Sequence, residues 1–426
     1  MEKLVQQFRD IQPTMRKNET WRHVDFSSHL SDTLSLPHGE RLTSEYHCNI
    51  PQLDTVRFVV ENGICHQCRL QTEEGTVMAG LRSFAAQEPG LVQQYFGTCA
   101  GDNPYQRINS ENYSDGVIAI VPDNTRQQKP LQLQSVTNAG RGLFLQVRNL
   151  VVVGRNSRAV IIHCDDSYDQ SAAFANNVTE IYMMEGAEVE YYKMQNLNNR
   201  TGLLNHTYAV MQQGASFRSV AITLNGGHIR NHTEIRMQGE HCSTEAHGLY
   251  LNDQEQQVDN YIFVGHDAPN CRSHQLFKGI LDDSARGIFN GHVLVAEGAS
   301  KTEAHQTNKN ILLTDKAHIT TKPFLEIYND DVKCSHGSTI GQLDEQAFFY
   351  IRSRGISERT AMTMLSYAFC DEVLQKILLS PLRSSLIDLV KKRLHGELTP
   401  CAECSLLCST PCNNADSEFY IDPAKL

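Results

Sequence analysis

The chain has 426 residues, and its 38 lysines and arginines against 49 aspartates and glutamates give a formal net charge of −11. This acidic balance argues against a nucleic-acid backbone or an anionic membrane surface as the partner. A chain of this length buries a substantial core, so we expect either two or three packed units or one elongated body.

The apolar runs at 117–121 and 150–153 are far shorter than the roughly 18 residues that span a bilayer, so no transmembrane helix is expected. The N-terminus lacks the apolar segment of a secretory signal, which favours a cytoplasmic location. In a reducing compartment, the thirteen cysteines are expected to be thiols or metal ligands rather than a disulfide framework.

Residues 1–110 mix amphipathic helical stretches with a strand-like segment at 56–60. Turn signals follow at Asn62-Gly63 and Glu74-Gly75. We therefore expect an N-terminal α+β region.

Residues 111–345 consist of short segments rich in Val, Ile, Thr and Tyr, each ended by a small polar turn. The turns share an alanine that precedes a strand, with irregular spacing, and lie at Glu185-Gly186-Ala187, Gln213-Gly214-Ala215, Asp283-Ser284-Ala285, Glu297-Gly298-Ala299 and Asp315-Lys316-Ala317. A sandwich or jelly roll also has many short strands, but so long a run without helical periodicity fits stacked coils better. We expect a mainly β protein with a parallel β-helix core.

Residues 346–397 return to helical spacing, with an apolar stripe at Leu365, Phe369, Val373 and Ile377. On one helix this stripe forms a ridge that fits a groove on a partner. The alternative is that the ridge packs on the end of the β-helix and caps it.

Residues 398–426 form a cysteine-rich tail. Cys401, Cys404, Cys408 and Cys412 have the right number of thiols for a tetrahedral zinc ion or an iron–sulfur cluster. The close spacing makes a single closed site sterically demanding, so a tail of adventitious ligands is the alternative. Cys65 and Cys68 form a second, isolated pair, which is half of a zinc knuckle.

The block Asp331-Val-Lys-Cys-Ser-His-Gly-Ser-Thr-Ile-Gly341, followed by Asp344-Glu345 and residues 351–356, closely resembles the SufB/SufD family of iron–sulfur cluster assembly scaffolds. Residues 16–23 resemble the family's N-terminal segment, and 359–377 resemble its C-terminal helix. The chain length, the N-terminal block and the histidine within Cys-Ser-His-Gly favour the SufD branch.

The resemblance implies a right-handed parallel β-helix, a heterodimer with a SufB-like paralogue and docking of a SufC-like ATPase on the C-terminal helices. A homodimer in isolation stays open. The sequence contains no Gly-x-x-x-x-Gly-Lys-Ser/Thr loop, so ATP chemistry is expected to come from the partner. We therefore expect a non-catalytic scaffold subunit of the SufBCD complex.

Cys334 and His336 are two residues apart in the expected last strand, so both side chains project to one face. A thiolate and an imidazole are plausible ligands for iron, although two ligands do not complete a site. The resemblance implies that a transient iron–sulfur cluster lies at the interface with the paralogue, and that His336 is one of its ligands. The alternative is that Cys334 packs as a small apolar residue and His336 is a hydrogen-bonded surface residue.

A different class of function is a polysaccharide-active enzyme on a parallel β-helix, which needs carboxylates that converge on a groove. Acidic pairs occur at Asp165-Asp166, Asp282-Asp283 and Asp330-Asp331. We expect these pairs to lie at turns, where aspartate is favoured for backbone reasons.

Overall fold

The computed structural model describes residues 2–395 except 32, 40, 42–49, 68, 100–102 and 138. The N-terminal part combines helices with short strands. Its elements are α1 (Glu2–Met15), a 3₁₀ helix (Glu19–Trp21), β1 (Val56–Glu61), β2 (Ile64–Cys65), β3 (Leu70–Gln71), β4 (Val77–Gly80), α2 (Leu81–Gln87), α3 (Pro89–Tyr95) and α4 (Pro104–Asn112). Asn62 and Gly63, at positive φ, form the turn between β1 and β2, as their sequence predicts.

The central part is a succession of strands of similar length. They are β5 (Val117–Val121), β6 (Leu131–Thr137), β7 (Leu143–Val153), β8 (Arg158–Ser167), β9 (Ala173–Met183), β10 (Glu188–Asn196), β11 (Thr201–Met211), β12 (Ser216–Asn225), β13 (His228–Met237), β14 (Ser243–Asn252), β15 (Gln257–His266), β16 (Arg272–Leu281), β17 (Arg286–Val295), β18 (Thr302–Leu312), β19 (His318–Ile327) and β20 (Val332–Gly341). Three helices follow, α5 (Glu345–Ser353), α6 (Glu358–Leu374) and α7 (Ser380–His395).

The strands form two parallel sheets that face each other. Sheet 1 has the order β2-β1-β6-β8-β10-β12-β14-β16-β18-β20, and sheet 2 has the order β19-β17-β15-β13-β11-β9-β7-β5-β4-β3. The chain alternates between the sheets and each strand pairs with the next but one, which makes a parallel β-solenoid of about eight turns. The prediction of a mainly β protein with a β-helix core is confirmed.

The turn alanines noted in the sequence point into the solenoid. Ala187, Ala215, Ala285, Ala299 and Ala317 are all buried. In the first two turns the preceding residue, Gly186 or Gly214, has a positive φ, which glycine adopts without steric cost. Small residues are therefore placed where the chain bends sharply from one sheet into the other.

The interior is packed by alternate residues of both sheets, in one apolar cluster that runs along much of the solenoid. The N-terminal segment covers the outer face of sheet 2, where Phe8 and Trp21 pack with Phe144 and Phe174. Trp21 also stacks on His232, with 5.3 Å between ring centroids. The segment at 16–23 that resembles the family's N-terminal block thus helps to fasten this layer to the solenoid.

The C-terminal helices cover the outer face of sheet 1. Val373 and Ile377 are fully buried in a cluster with Ile222, Leu249 and Leu276 of the sheet. The prediction that this stripe exposes a continuous ridge to a partner is wrong, because the chain's own sheet covers Val373 and Ile377 and leaves only Leu365 and Phe369 half-buried. The alternative prediction is correct in that the stripe packs on the solenoid. It is wrong about the place, because the stripe contacts the outer face of sheet 1 and not the end of the solenoid.

The two ends of the solenoid differ. At the N-terminal end, β2 and β3 are two-residue strands in antiparallel hairpins, and such short edges discourage pairing with another chain. At the C-terminal end, β19 and β20 are ten-residue strands at the edges of their sheets. Within the described part of the chain, no helix has both the length and the apolar character to cross a bilayer.

Candidate functional site

The C-terminal end of the solenoid is formed by the last two strands, β19 and β20. Each pairs with one neighbour, β17 or β18, and its other edge meets no strand among the described residues. Backbone N–H and C=O groups on such an edge are free to pair with another chain. We call this surface, residues 318–341, the end face.

The end face exposes several large apolar side chains as well as unpaired strand edges. Its exposed large side chains are Phe324, Ile327, Tyr328 and Ile340. Exposed large apolar side chains, when they are grouped, are typical of a protein–protein interface. Next to it in sequence, α5 exposes Phe349 and Tyr350.

Cys334 is half-buried in the last strand. It pairs in register with Ala304 and packs at the edge of the cluster that contains Val293, Val295 and Ala304. Burial raises the pKa of its thiol and outweighs the opposing effect of a backbone hydrogen bond at Ala304, so the thiolate that a metal requires is disfavoured. Cys334 therefore occupies the apolar packing role that the sequence left open.

His336 pairs in register with Gln306, which is buried in the preceding coil. His336 itself is exposed, because no further coil covers its side of the solenoid. It follows Cys334 at an interval of two residues, so both belong to the column of residues that continues the interior. The structure brings the two predicted donors to the same open end.

These donors do not form a complete metal site. Among the described residues, no group of three or more His, Cys, Asp or Glu side chains is arranged to hold a metal ion. A thiol and an imidazole at an open end can supply at most part of a coordination shell. A metal bound by these two residues would need its other ligands from outside the described part of this chain.

A polar network lies directly behind the end face, and the sequence analysis did not identify it. Gln306 Nε2 donates a hydrogen bond to Gln275 Oε1 over 2.8 Å. Beside it, Thr321 Oγ1 donates to Asn308 Oδ1 over 2.9 Å and lies 2.7 Å from Ser338 Oγ. The last coils thus contain buried amides and hydroxyls beside the aliphatic cluster of Val293 and Val295.

The other predicted metal ligands are the cysteines of the tail and the pair Cys65 and Cys68. Cys401, Cys404, Cys408 and Cys412 lie outside the described residues, as does Cys68. Cys65 Sγ donates to the carbonyl of Gly116 over 3.1 Å, and burial raises its pKa.

The three acidic pairs do not converge on a groove. Asp165 and Asp166 lie within β8, so the prediction that every pair sits at a turn is wrong for this one, where Asp165 instead points inward to Lys193. Asp282 accepts from the backbone N–H of Asp283 at a turn. Asp330-Asp331 lies between β19 and β20, at the end face.

The geometry defines the chain as a two-sheet parallel β-solenoid protein whose last two strands, β19 and β20, are edge strands within the described part of the chain. Two family models match nearly all of its described length, the SufBD protein N-terminal region over residues 2–133 and the SUF system FeS cluster assembly SufBD core domain over 135–369. The chain belongs to the SufBD family of iron–sulfur cluster assembly proteins.

Curated relatives agree with this assignment. An iron–sulfur cluster assembly SufBD family protein of Synechocystis is 32% identical over 76% of this chain and 71% of its own length. The iron–sulfur cluster assembly protein SufD of Escherichia coli is 27% identical over 92% of each chain. SufD of Bacillus subtilis is 22% identical over 90% of each chain.

Proposed function

We propose that this chain is a SufD-like, non-catalytic scaffold subunit of a SufBCD-type complex in the cytoplasm. In this proposal the end face pairs with a SufB-like paralogue and builds one continuous solenoid across the two chains. The observation that carries the proposal is the open, apolar end face with His336 at the end of an interior column. The SufD relatives provide the context of iron–sulfur cluster assembly.

In this proposal the iron–sulfur cluster is cargo, assembled between the two chains. His336 supplies one imidazole ligand from this chain, and the paralogue supplies thiolate. Cys334 is the weaker candidate because its thiol is half-buried and its pKa is raised. A half-site on each chain accounts for an incomplete donor set in either chain alone.

The same end face supports a homodimer when the paralogue is absent. An exposed apolar edge that is complementary to a related chain is also the surface on which two identical chains associate at high concentration. In this proposal the homodimer is the state of the isolated chain, and the heterodimer is the state in which the cluster is built.

The ATPase is proposed to dock on the C-terminal helices. Because the Val373 and Ile377 stripe packs on sheet 1, docking must use another part of this layer. The exposed aromatic residues Phe349 and Tyr350 of α5 provide that surface. Large exposed aromatic residues are typical anchors of protein interfaces.

The proposed ligand role is tested by replacing His336 with alanine in the complete complex. We expect normal abundance of the complex, because a single exposed side chain rarely decides a large interface, and at least a tenfold lower yield of assembled cluster. His318→Ala is the matched control, since it removes an exposed histidine from the same coil. Cluster assembly by His336→Ala at the wild-type rate, with the complex at normal abundance, would falsify the ligand role.

A further inference from the structure

Gln306 stands immediately behind His336 in the interior of the solenoid. The pairing of β18 with β20 sets Gln306 beside His336, and the pairing of β16 with β18 sets Gln275 beside Gln306. Paired residues of parallel neighbouring strands project to the same face. The three side chains therefore form one column that ends at the open end of the solenoid.

The amide of Gln306 is fixed from two sides. Its Nε2 donates to Gln275 Oε1 over 2.8 Å. On the opposite sheet, Gly291 leaves the space that the amide fills, since a Cβ at position 291 would lie 2.3 Å from Nε2 and 2.6 Å from Oε1. Any side chain larger than glycine at 291 would push the amide away.

The oxygen of this amide has an unused capacity to accept a hydrogen bond. Gln306 Oε1 is buried and has no hydrogen-bond partner among the described residues. Most buried polar atoms of native proteins have a hydrogen-bond partner, so this oxygen can accept a hydrogen bond from a neighbouring donor. The strand register pairs His336 directly with Gln306, so His336 is the neighbouring residue of the same column on the last strand.

We propose that Gln306 is a positioning residue for His336. Its Oε1 accepts the N–H of one imidazole nitrogen, so the ring is held as a single tautomer and the other nitrogen presents its lone pair out of the open end. Ligand histidines are generally oriented by such an acceptor on their second nitrogen. This inference rests on the proposed ligand role of His336, and it adds the group that selects the ligating nitrogen.

The first test measures the tautomer in the full chain without any cluster. Long-range ¹H–¹⁵N correlation spectra of ¹⁵N-histidine-labelled protein report the state of each ring, and the His336 signals are identified by their loss in His336→Ala. We expect a single tautomer for His336 in the wild type and a mixture in Gln306→Met, which keeps the length but removes the acceptor. Gln306→Glu keeps the acceptor, so it should restore the single tautomer.

Two further variants separate positioning from general effects on the fold. Gly291→Ala displaces the amide while Gln306 is intact, so it should reproduce the mixture seen in Gln306→Met. Thr321→Val removes neighbouring hydrogen bonds to Asn308 and Ser338 without touching the column, so it should keep the wild-type spectrum. A wild-type His336 spectrum in Gln306→Met overturns the proposal.

The second test measures cluster yield in the complete complex. We expect a several-fold loss in Gln306→Met and recovery in Gln306→Glu. If His336→Ala assembles clusters normally, the ligand role fails, and the tautomer spectra still decide whether Gln306 orients the ring. If His336→Ala loses the cluster but Gln306→Met matches the wild type in both yield and spectrum, the positioning role alone is refuted.

Discussion

Lys193 and Asp165 form an ion pair inside the solenoid, with 2.6 Å between Nζ and Oδ2 and only 3% of each side chain exposed. The two residues come from neighbouring coils, on β10 and β8. Burial lowers the pKa of Lys193, and the carboxylate of Asp165 opposes that shift. Each buried charge is stabilised by the opposite charge of its partner, and a buried charge without such a partner strongly destabilises the fold.

Removal of one partner of this pair should therefore be strongly destabilising. We expect Lys193→Met to lower the free energy of unfolding by about 3–5 kcal/mol, because it leaves a buried carboxylate without its counter-charge. The double variant Lys193→Met with Asp165→Leu should recover most of that loss. Urea titrations followed by circular dichroism provide the measurement, and a double variant no more stable than the single one would contradict this account.

Stability should also fall at acidic pH, in part through His266. Its Nε2 lies 2.8 Å from Ser273 Oγ, and burial lowers its pKa from 6.5 to about 4. Between these two values the unfolded chain binds a proton that the folded chain does not, so the stabilisation is complete above pH 6.5 and is lost as the pH falls towards 4.

The contribution of His266 can be isolated by substitution. Between pH 7.5 and pH 5, the wild type should lose about 2 kcal/mol more than His266→Gln does, since one pKa unit corresponds to about 1.4 kcal/mol. Urea titrations of both proteins at the two pH values measure this difference. Parallel losses in the two proteins would show that His266 does not titrate as described.

The end face should decide association with the paralogue. We expect Ile340→Asp to weaken co-purification with a SufB-like chain at least tenfold, because it places a charge within an apolar contact surface. Leu70→Asp is the matched control at the opposite end of the solenoid, where Leu70 is 38% exposed compared with 49% for Ile340. Equal binding of the SufB-like chain by the two variants would show that the interface does not lie at the end face.

Docking of the ATPase should depend on α5. Phe349 and Tyr350 are 74% and 58% exposed, so Phe349→Asp with Tyr350→Asp should abolish ATPase capture with little effect on thermal stability. Deletion of the helices is a poorer experiment, because it would uncover the apolar outer face of sheet 1. Leu378→Asp, at an exposed site between α6 and α7, is the control, and ATPase capture by the α5 variant would contradict docking there.

The cysteine-rich tail is proposed to bind metal through Cys401, Cys404, Cys408 and Cys412. Replacement of all four by serine should lower the zinc or iron content after chelation and reconstitution, because thiolates are the ligands that these metals prefer. Elemental analysis provides the measurement. Cys370→Ser, which changes a buried thiol in α6, is the control, and an unchanged metal content in the four-serine variant would make the tail a bystander.

The sequence predicted the solenoid because each coil repeats the same chemistry of a small residue at the bend and β-branched residues in the strands. It did not predict the length of a coil, because that length varies along the chain. Paired residues are 26 positions apart at Asn205 and Asn231 but 32 positions apart at Asn290 and Lys322. Loops at the bends absorb most of these differences, and within the sheets the register shifts between Gln195 and Asn196, where β10 pairs with β12.

The sequence correctly predicted that Cys334 and His336 lie in the last strand. It did not indicate a role for Gln306. The reason is that residues 305–310 of β18 are polar at every position, so alternation could not separate inward from outward side chains. The exposed ridge was mispredicted for a related reason. An apolar helical stripe indicates burial, but the burying surface is identified only when the outer face of sheet 1 proves to be apolar as well.

The contrast between the two ends of the solenoid limits how far the molecule can grow. The two-residue strands β2 and β3 offer little edge for pairing at the N-terminal end, whereas β19 and β20 each have a ten-residue edge that pairs with no further strand among the described residues. A rod with two adhesive ends adds copies without limit and becomes a fibre. If the end face binds a second chain as we propose, a solenoid with one such end accepts a single partner, so the proposed association stops at a pair of chains with His336 at their junction.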